Sequence, residues 1–190
     1  MKRVRLCNGL RRIGNEAFHG CTSLRSITIP SSVVAIGVEA FKWCYLSNIQ
    51  LSVHELSDLA FGYSSVENVH LCEGIKTIGT AFQHCFSLSH INIPSTVAAI
   101  GAKAFRCCSS LKEIQLSEGL LSIGQSSFSF SPLKCVRIQS TVISIDKRAF
   151  ASSSLVVVRL CEGLASTGMY SIFHETFSFI FSSITLATFL

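Results

Sequence analysis

A phenylalanine returns along the whole chain at nearly fixed intervals, at Phe18, Phe41, Phe61, Phe82, Phe105, Phe128, Phe150 and Phe173. The steps between them are 23, 20, 21, 23, 23, 22 and 23 residues. A period this short cannot be a domain, and this regular it points to a stack of similar coils. An alanine precedes most of the anchors, as in Ala17-Phe18 and Ala104-Phe105, and leaves room for the ring. Ahead of these lies an Ile-Gly pair, as at Ile13-Gly14, Ile36-Gly37, Ile78-Gly79, Ile100-Gly101 and Ile123-Gly124; Asp146 takes the glycine's place after Ile145.

Some ten residues after each anchor comes an alternating apolar triplet of the form LxxIxI. Leu24, Ile27 and Ile29 make one copy, and Leu88, Ile91 and Ile93 another. Alternation of period two predicts a short strand with its apolar side chains on one face. Two corners follow these strands. LCNGL from Leu6, LCEGI from Leu71, LSEGL from Leu116 and LCEGL from Leu160 are one kind; IPSSV, IPSTV and IQSTV from Ile29, Ile93 and Ile138 are the other. The first kind is read as the corner of odd coils and the second of even coils. Proline or Glu-Gly ends the strand and turns the chain. No such coil can bury its own apolar set, so about eight of them must share one core.

The composite pattern LxxIxIPSSVxxIGxxAFxxCxS resembles the BspA-like class of leucine-rich repeats, over roughly Val4 to Gly168. The resemblance implies an α/β-type solenoid: a right-handed leucine-rich repeat array with one parallel β-sheet face, short turns and little helix. It also implies a binding protein rather than a catalyst, since many members are surface or secreted binding proteins. Two departures stand out. The coil from Leu51 to Phe61 is short and lacks its Ile-Gly, which predicts a local distortion, and the pattern decays after Gly168. The array is therefore assigned to residues 1–174, and residues 175–190 to an apolar tail.

Between the apolar positions of each strand lie outward columns. One reads Arg5, Thr28, Gln50, His70, Asn92, Gln115, Arg137, Arg159; a second runs from Arg3 through Asn48, Asn68 and His90 to Val157; a third holds Lys2, Arg25, Glu67, Lys112 and Lys134 among others. Together they carry eight Lys/Arg and two Glu. Sixteen positive residues less eight and eleven negative less two leave eight and nine for the rest of the chain, so the net charge of +5 sits on one expected face. Such a face suits a protein partner with an acidic surface, and Arg5, Gln50, His70, Asn92, Lys112, Gln115, Lys134, Arg137 and Arg159 are the expected contact residues. Solvated strand positions favour polar residues in any case, and lysines guard against edge pairing. Nucleic acid is disfavoured, because stacking aromatics are missing from these columns. Trp43 is placed on the back of its coil beside Cys44.

The nine cysteines are mostly in register with the repeat. Cys21, Cys44, Cys85 and Cys108 fall three residues after an anchor, Cys7, Cys72 and Cys161 occupy corners, and only Cys107 and Cys135 stand apart. Repetition points to small buried side chains; the odd count favours reduced thiols and a cytoplasmic setting, while the family resemblance favours the cell surface. His70, Cys72, His84, Cys85 and His90 are the best metal-like group, but their coil positions diverge, so no metal or cofactor is expected. His70 and His90 fall on neighbouring strands and form a candidate pH-responsive pair. The two aspartates, Asp58 and Asp146, sit at corners, and the nucleophile-elbow, phosphate-loop and zinc-helix patterns are missing. No enzyme is expected.

With 48% hydrophobic and 14% charged residues and a mean hydropathy of +0.48, the chain is greasy. Its start, MKRVRLCNGL, lacks the apolar run of a secretory signal and opens inside a coil. Uncapped array ends raise an alternative function, a structural or adhesive segment that joins arrays end to end. The uncharged run Thr176–Leu190 is shorter than the ~20 residues of a spanning helix, so a hydrophobic cap or an inaccurate chain end is favoured there over membrane contact.

Overall fold

The computed structural model describes residues 2–160 and the strand Thr185–Thr188. It is a parallel β-solenoid of seven complete coils, one per anchor from Phe18 to Phe150, followed by the first strand of an eighth. The strands of the long face are Arg3–Arg5, Ser26–Thr28, Asn48–Leu51, Asn68–Leu71, His90–Ile91, Cys135–Ile138 and Val157–Leu160. They pair in parallel in the register the repeat demands, with Val4 opposite Ile27, Ile49 opposite Val69 and Val136 opposite Val158. Helix among the described residues amounts to the 3-10 turn Thr80–Phe82. The Ile-Gly positions build a second, narrower ladder of two-residue strands such as Arg12–Ile13, Ala35–Ile36 and Ala99–Ile100.

Inside, the anchors form one continuous stack. Successive rings from Phe18 to Phe150 lie 5.1 to 5.9 Å apart at interplanar angles of 4° to 13°. Every anchor from Phe41 to Phe150 is fully buried, whereas Phe18, on the outermost coil, is only partly so. The chain brackets most of the anchors with left-handed backbone. Two residues before it stand Glu16, Glu39, Leu59, Lys103, Ser126 and Arg148, and two residues after it Trp43, Tyr63, His84, Cys107, Phe130 and Ser152, all at φ between 52° and 62°. Left-handed φ costs a residue with a Cβ roughly 1–2 kcal/mol. From Glu16 to Phe130 the cost is offset because the amide of each such residue bonds the next coil, as Lys103 N–H does to Gln125 O at 2.9 Å and His84 N–H to Arg106 O at 2.8 Å.

The two corner types are complementary. The Glu73 carboxylate of LCEGI reaches the IPSTV corner one coil on, where Oε1 accepts from Ser95 N–H and Oγ–H at 3.2 Å and Oε2 from Thr96 N–H at 3.1 Å. Gly74, at φ +123°, where only glycine is comfortable, donates its N–H to Thr96 Oγ1 at 3.0 Å. Gly9 N–H meets Ser32 Oγ at 3.1 Å in the same way. A side chain at Gly119 would collide with the Ser95 carbonyl. The strict odd–even alternation expected of the corners does not hold, because short coil 3 has neither type. The partnerships therefore run from coil 1 to 2, from 4 to 5 and from 6 to 7. Coil 3 is also where the predicted distortion lies: Leu56-Ser57 replaces Ile-Gly, and both ladders break beside it, the long face between Ser26–Thr28 and Asn48–Leu51 and the narrow one between Glu55–Leu56 and Thr77–Ile78. The Phe stack runs through without a gap.

The eighth anchor, Phe173, the final LCEGL corner, Cys161 and the boundary at 174/175 lie outside the described residues. So does the apolar run from Thr176, except that Thr185–Thr188 lies parallel beside Val157–Leu160. No helix among the described residues is long and apolar enough to cross a membrane.

Truncating a central ring removes stacking on both sides and leaves a cavity. Phe105→Ala is expected to cost about 3–5 kcal/mol in urea unfolding, and Phe18→Ala clearly less; equal costs would contradict the stack as the source of cohesion. Glu73 supplies a pH test. Desolvation pushes the carboxyl up, but the hydrogen bonds from Thr96 and Ser95 together outweigh it and hold the carboxyl below the usual 4.5. A depressed folded pKa stabilises above the unfolded value and loses that contribution as pH falls through the folded one. The stability gap between wild type and Glu73→Gln should thus be constant at neutral pH and close below about pH 4.5; a gap that persists in acid would sink the corner assignment.

Candidate binding face

Strand alternation sets which side chains leave the long face. In Asn68–Leu71, Val69 and Leu71 point into the core while His70 is exposed. The register then aligns equivalent residues of successive coils. Arg5 lies opposite Thr28, Gln50 opposite His70, Asn92 opposite Gln115 and Arg137 opposite Arg159. Lys112 and Lys134 are neighbours two columns over, joined by the backbone bond from Lys134 N–H to Lys112 O at 3.3 Å. All nine residues singled out from the sequence are exposed.

The structure does not gather them at one point. Gln50, His70, Asn92 and Gln115 sit on four successive coils and form a polar middle, while Lys134, Arg137 and Arg159 lie at one end. Arg5 is six strand positions from Arg137, roughly 30 Å at the usual strand spacing. Around the middle the long face is hollowed. Coil 6 contributes only the single bridge Asn92–Gln115 to the sheet, and a depression of about 810 Å³ opens there, lined by His90, Asn92, Lys112, Glu113 and Gln115 among others. A second, of about 550 Å³, lies over Asn48, Gln50, Asn68, His70 and Asn92.

Two residues do work the repeat pattern did not suggest. The Asn92 amide is committed to the scaffold: Oδ1 accepts from Leu71 N–H and Nδ2 donates to Leu71 O, both at 2.8 Å, which closes the end of strand Asn68–Leu71. Asn68 donates to Asn48 Oδ1 at 2.7 Å and so pairs amide with amide. His70 and His90 are diagonal neighbours rather than directly opposed, since His70's column meets Asn92 and His90 faces Asn68. The His90 ring nitrogen Nδ1 is 2.9 Å from Ser89 Oγ. His84 and Cys85 lie on the flank, and among the described residues no three His, Cys, Asp or Glu side chains converge as metal ligands.

The flank holds a feature that the sequence reading missed. In the left-handed column two residues after the anchors, Trp43 stacks on Tyr63 at 4.7 Å and Tyr63 on His84 at 4.4 Å. Phe86 packs edge-on against Tyr63 and His84. Burial, with the charge of Arg106 adding to it, lowers the His84 pKa. The signal was there in the sequence, since Gly20, Trp43, Tyr63, His84, Cys107, Phe130 and Ser152 share one repeat position, but that position was taken for the coil's back.

With the coils in register, the BspA type leucine-rich repeat region matches this chain in six copies, over residues 1–81 and 80–189. The chain belongs to the BspA-type leucine-rich repeat family. No curated protein matches this BspA-type array significantly. Among solved structures it is similar to a leucine-rich repeat protein from Bacteroides ovatus, at 27% identity and a TM-score of 0.78 over 84% of this chain and 43% of that one. It also shares its fold with a leucine rich cell surface protein from Faecalibacterium prausnitzii, at 21% identity and a TM-score of 0.51, over 100% of this chain and 64% of the other. The array thus spans less than two thirds of either relative.

The cysteines of this BspA-type array are more than small apolar fillers. Three residues after four of the anchors, the side chain donates to the carbonyl of the anchor one coil back: Cys44 Sγ–H to Phe18 O at 3.0 Å, Cys85 to Phe61 O at 3.0 Å, Cys108 to Phe82 O at 3.3 Å and Ser131 Oγ–H to Phe105 O at 2.8 Å. Burial raises Cys44 and Cys85 to about 12 and Cys108 well above its ordinary value, so each keeps the proton it donates. Cys108→Ala would remove one of two hydrogen bonds to the Phe82 carbonyl, which still accepts from Cys85 N–H at 3.2 Å, at a cost of about 0.5–1.5 kcal/mol. Cys108→Ser, which imitates Ser131, should recover most of it. If serine were no better than alanine in thermal unfolding, the donor role would be wrong.

Proposed function

We propose that this chain is a non-enzymatic protein-binding module that presents its long sheet face to an acidic protein surface. The observation that carries the reading is the coincidence of exposure and charge: Lys2, Arg3, Arg5, Arg25, Lys112, Lys134, Arg137 and Arg159 are all exposed along three aligned columns. Against these eight the columns hold two glutamates, and the remainder of the chain is nearly neutral. A field of one sign over an extended face raises encounter rates with an opposite field and rejects like-charged partners. The hollows around Gln50, His70 and Gln115 offer shape to the same partner, with polar side chains to fix its register. Repeats of this family are generally structural or binding elements, which agrees with this use.

The test is affinity capture from the source cell's extract with the full chain, beside a chain carrying Arg5→Glu, Arg137→Glu and Arg159→Glu, once both are shown to fold. A partner held by the first and lost by the second is expected, with affinity falling steeply as salt rises. Equal capture by both chains, with the same salt dependence, would refute the reading.

A further inference from the structure

Among the described residues, cysteines on neighbouring coils share one repeat position twice, Cys21 with Cys44 and Cys85 with Cys108. We propose that the first pair is a redox clip: a low-molecular-weight disulfide converts Cys21 and Cys44 into an inter-coil disulfide that fastens coil 1 to coil 2, while the second pair stays reduced. The register makes the pairing possible. Equivalent residues of stacked parallel coils lie about 4.8 Å apart at Cα, inside the roughly 4.4–6.8 Å range of disulfides. Phe18 N–H bonds Ala40 O at 2.8 Å and Gly20 N–H bonds Lys42 O at 2.9 Å, so the backbone leading into Cys21 runs along the one leading into Cys44. The Phe18 carbonyl then accepts from Cys21 N–H at 3.1 Å and from Cys44 Sγ–H at 3.0 Å. Sharing that oxygen turns the Cys44 sulfur toward coil 1, beside Cys21's own amide. Further along the same column, Ser64 Oγ and Cys85 Sγ stand 3.7 Å apart, which shows how closely equivalent side chains approach.

Access separates the two pairs. Cys21 is exposed, whereas Cys44, Cys85 and Cys108 are buried. Cys21 also lies on coil 1, which packs on described coils from one side only, so it can shift toward Cys44 as the bond closes; Cys85 and Cys108 are held between coils on both sides. The chemistry takes two exchanges. The Cys21 thiolate attacks one sulfur of the small disulfide, forming a mixed disulfide and releasing one thiol. Cys44 then gives up its proton, its sulfur attacks Cys21 Sγ, and the second thiol leaves. Two protein thiols are oxidised and one small disulfide is reduced to two thiols. Burial, and after it the charge of Cys21, holds the Cys44 thiol up at about 12, so its thiolate is scarce near neutrality. Contact between the two side chains offsets that scarcity, since well-oriented intramolecular reactions reach effective molarities of about 10⁵ M and more. The mixed disulfide also removes the Cys21 charge that opposes ionisation of Cys44. The clip fastens the coil that carries Arg3 and Arg5, but its chemistry does not depend on what the long face binds.

The full chain, folded, would be incubated with glutathione disulfide at mildly alkaline pH. Its remaining thiols would be blocked with iodoacetamide in urea and the product cut after glutamate. Residues 17–39 and 40–55 then carry one cysteine each, Cys21 and Cys44. These two fragments should appear joined in a monomer, about tenfold or more faster than any link between Cys85 and Cys108. Cys44→Ser keeps a hydrogen-bond donor, as Ser131 does, and removes the second exchange. Its Cys21 should accumulate as the glutathione adduct, which wild type should not. Hydrogen exchange at the Phe18 and Gly20 amides should slow about tenfold or more in the clipped chain and recover on reduction with dithiothreitol. Circular dichroism matching wild type shows that the variant folds. The proposal is overturned if wild type keeps the adduct as folded Cys44→Ser does, or if Cys21 links to a second chain or another cysteine in preference to Cys44. It is equally overturned if Cys85 and Cys108 close as fast, or if oxidation leaves exchange in coil 1 unchanged.

Discussion

Each residue of this chain meets its own equivalent in the coils on either side, about 4.8 Å away. The phenylalanine stack is the purest expression of that constraint. A ring tolerates a copy of itself face to face with a small offset, and six successive contacts of this kind run through the core with nearly parallel planes. Everything else follows the stack's spacing. The parallel strands share its rise, and the left-handed corners on either side of each anchor are bearable because the same rise delivers a carbonyl to their amides. A coil alone would keep the strain and lose both the ring contacts and the hydrogen bonds, which is why cohesion lives between coils and not within them.

Departures from strict repetition are matched by a neighbour. Glu73 belongs to one coil, but its three acceptor contacts belong to the next, so the LCEGI and IPSTV corners form a unit two coils long. Coil 3 belongs to no such unit. Both ladders break beside it while the aromatic stack does not, so the rings, not the ladders, carry continuity through the short coil. Within it, Thr80 of the following coil supplies what the missing Ile-Gly cannot. Its hydroxyl accepts from Leu59 N–H at 3.1 Å and donates to Asp58 Oδ1 at 2.8 Å. That use of Thr80 coincides with the one place among the described residues where the coil turns as a 3-10 helix instead of through a left-handed residue.

The period, the anchors, the strand register and the exposure of all nine expected contact residues were legible in the sequence, because a period of two and a fixed coil length leave few ways to align equivalent residues. What was not legible depended on which backbone group stands opposite a side chain. Cys85 reads as a small apolar residue until the Phe61 carbonyl is seen 3.0 Å from its sulfur. Asn92 reads as a contact residue until Leu71 is seen to take both ends of its amide. Trp43 was set aside because the left-handed turn that throws its column outward has no signature in the residues themselves: tryptophan and tyrosine seldom occupy such positions.

The self-meeting rule also separates scaffold from surface function. Phenylalanine on phenylalanine, amide on amide at Asn48 and Asn68, and thiol on carbonyl are all favourable repetitions, so stability alone explains them. Arg137 opposite Arg159 is a repetition of another kind, two like charges set side by side and exposed on the long face. The flank ladder of rings ends at Gly20, where a Cβ would meet nothing within 4 Å. The cohesion of the array accounts for the first group and does not by itself call for either of the other two.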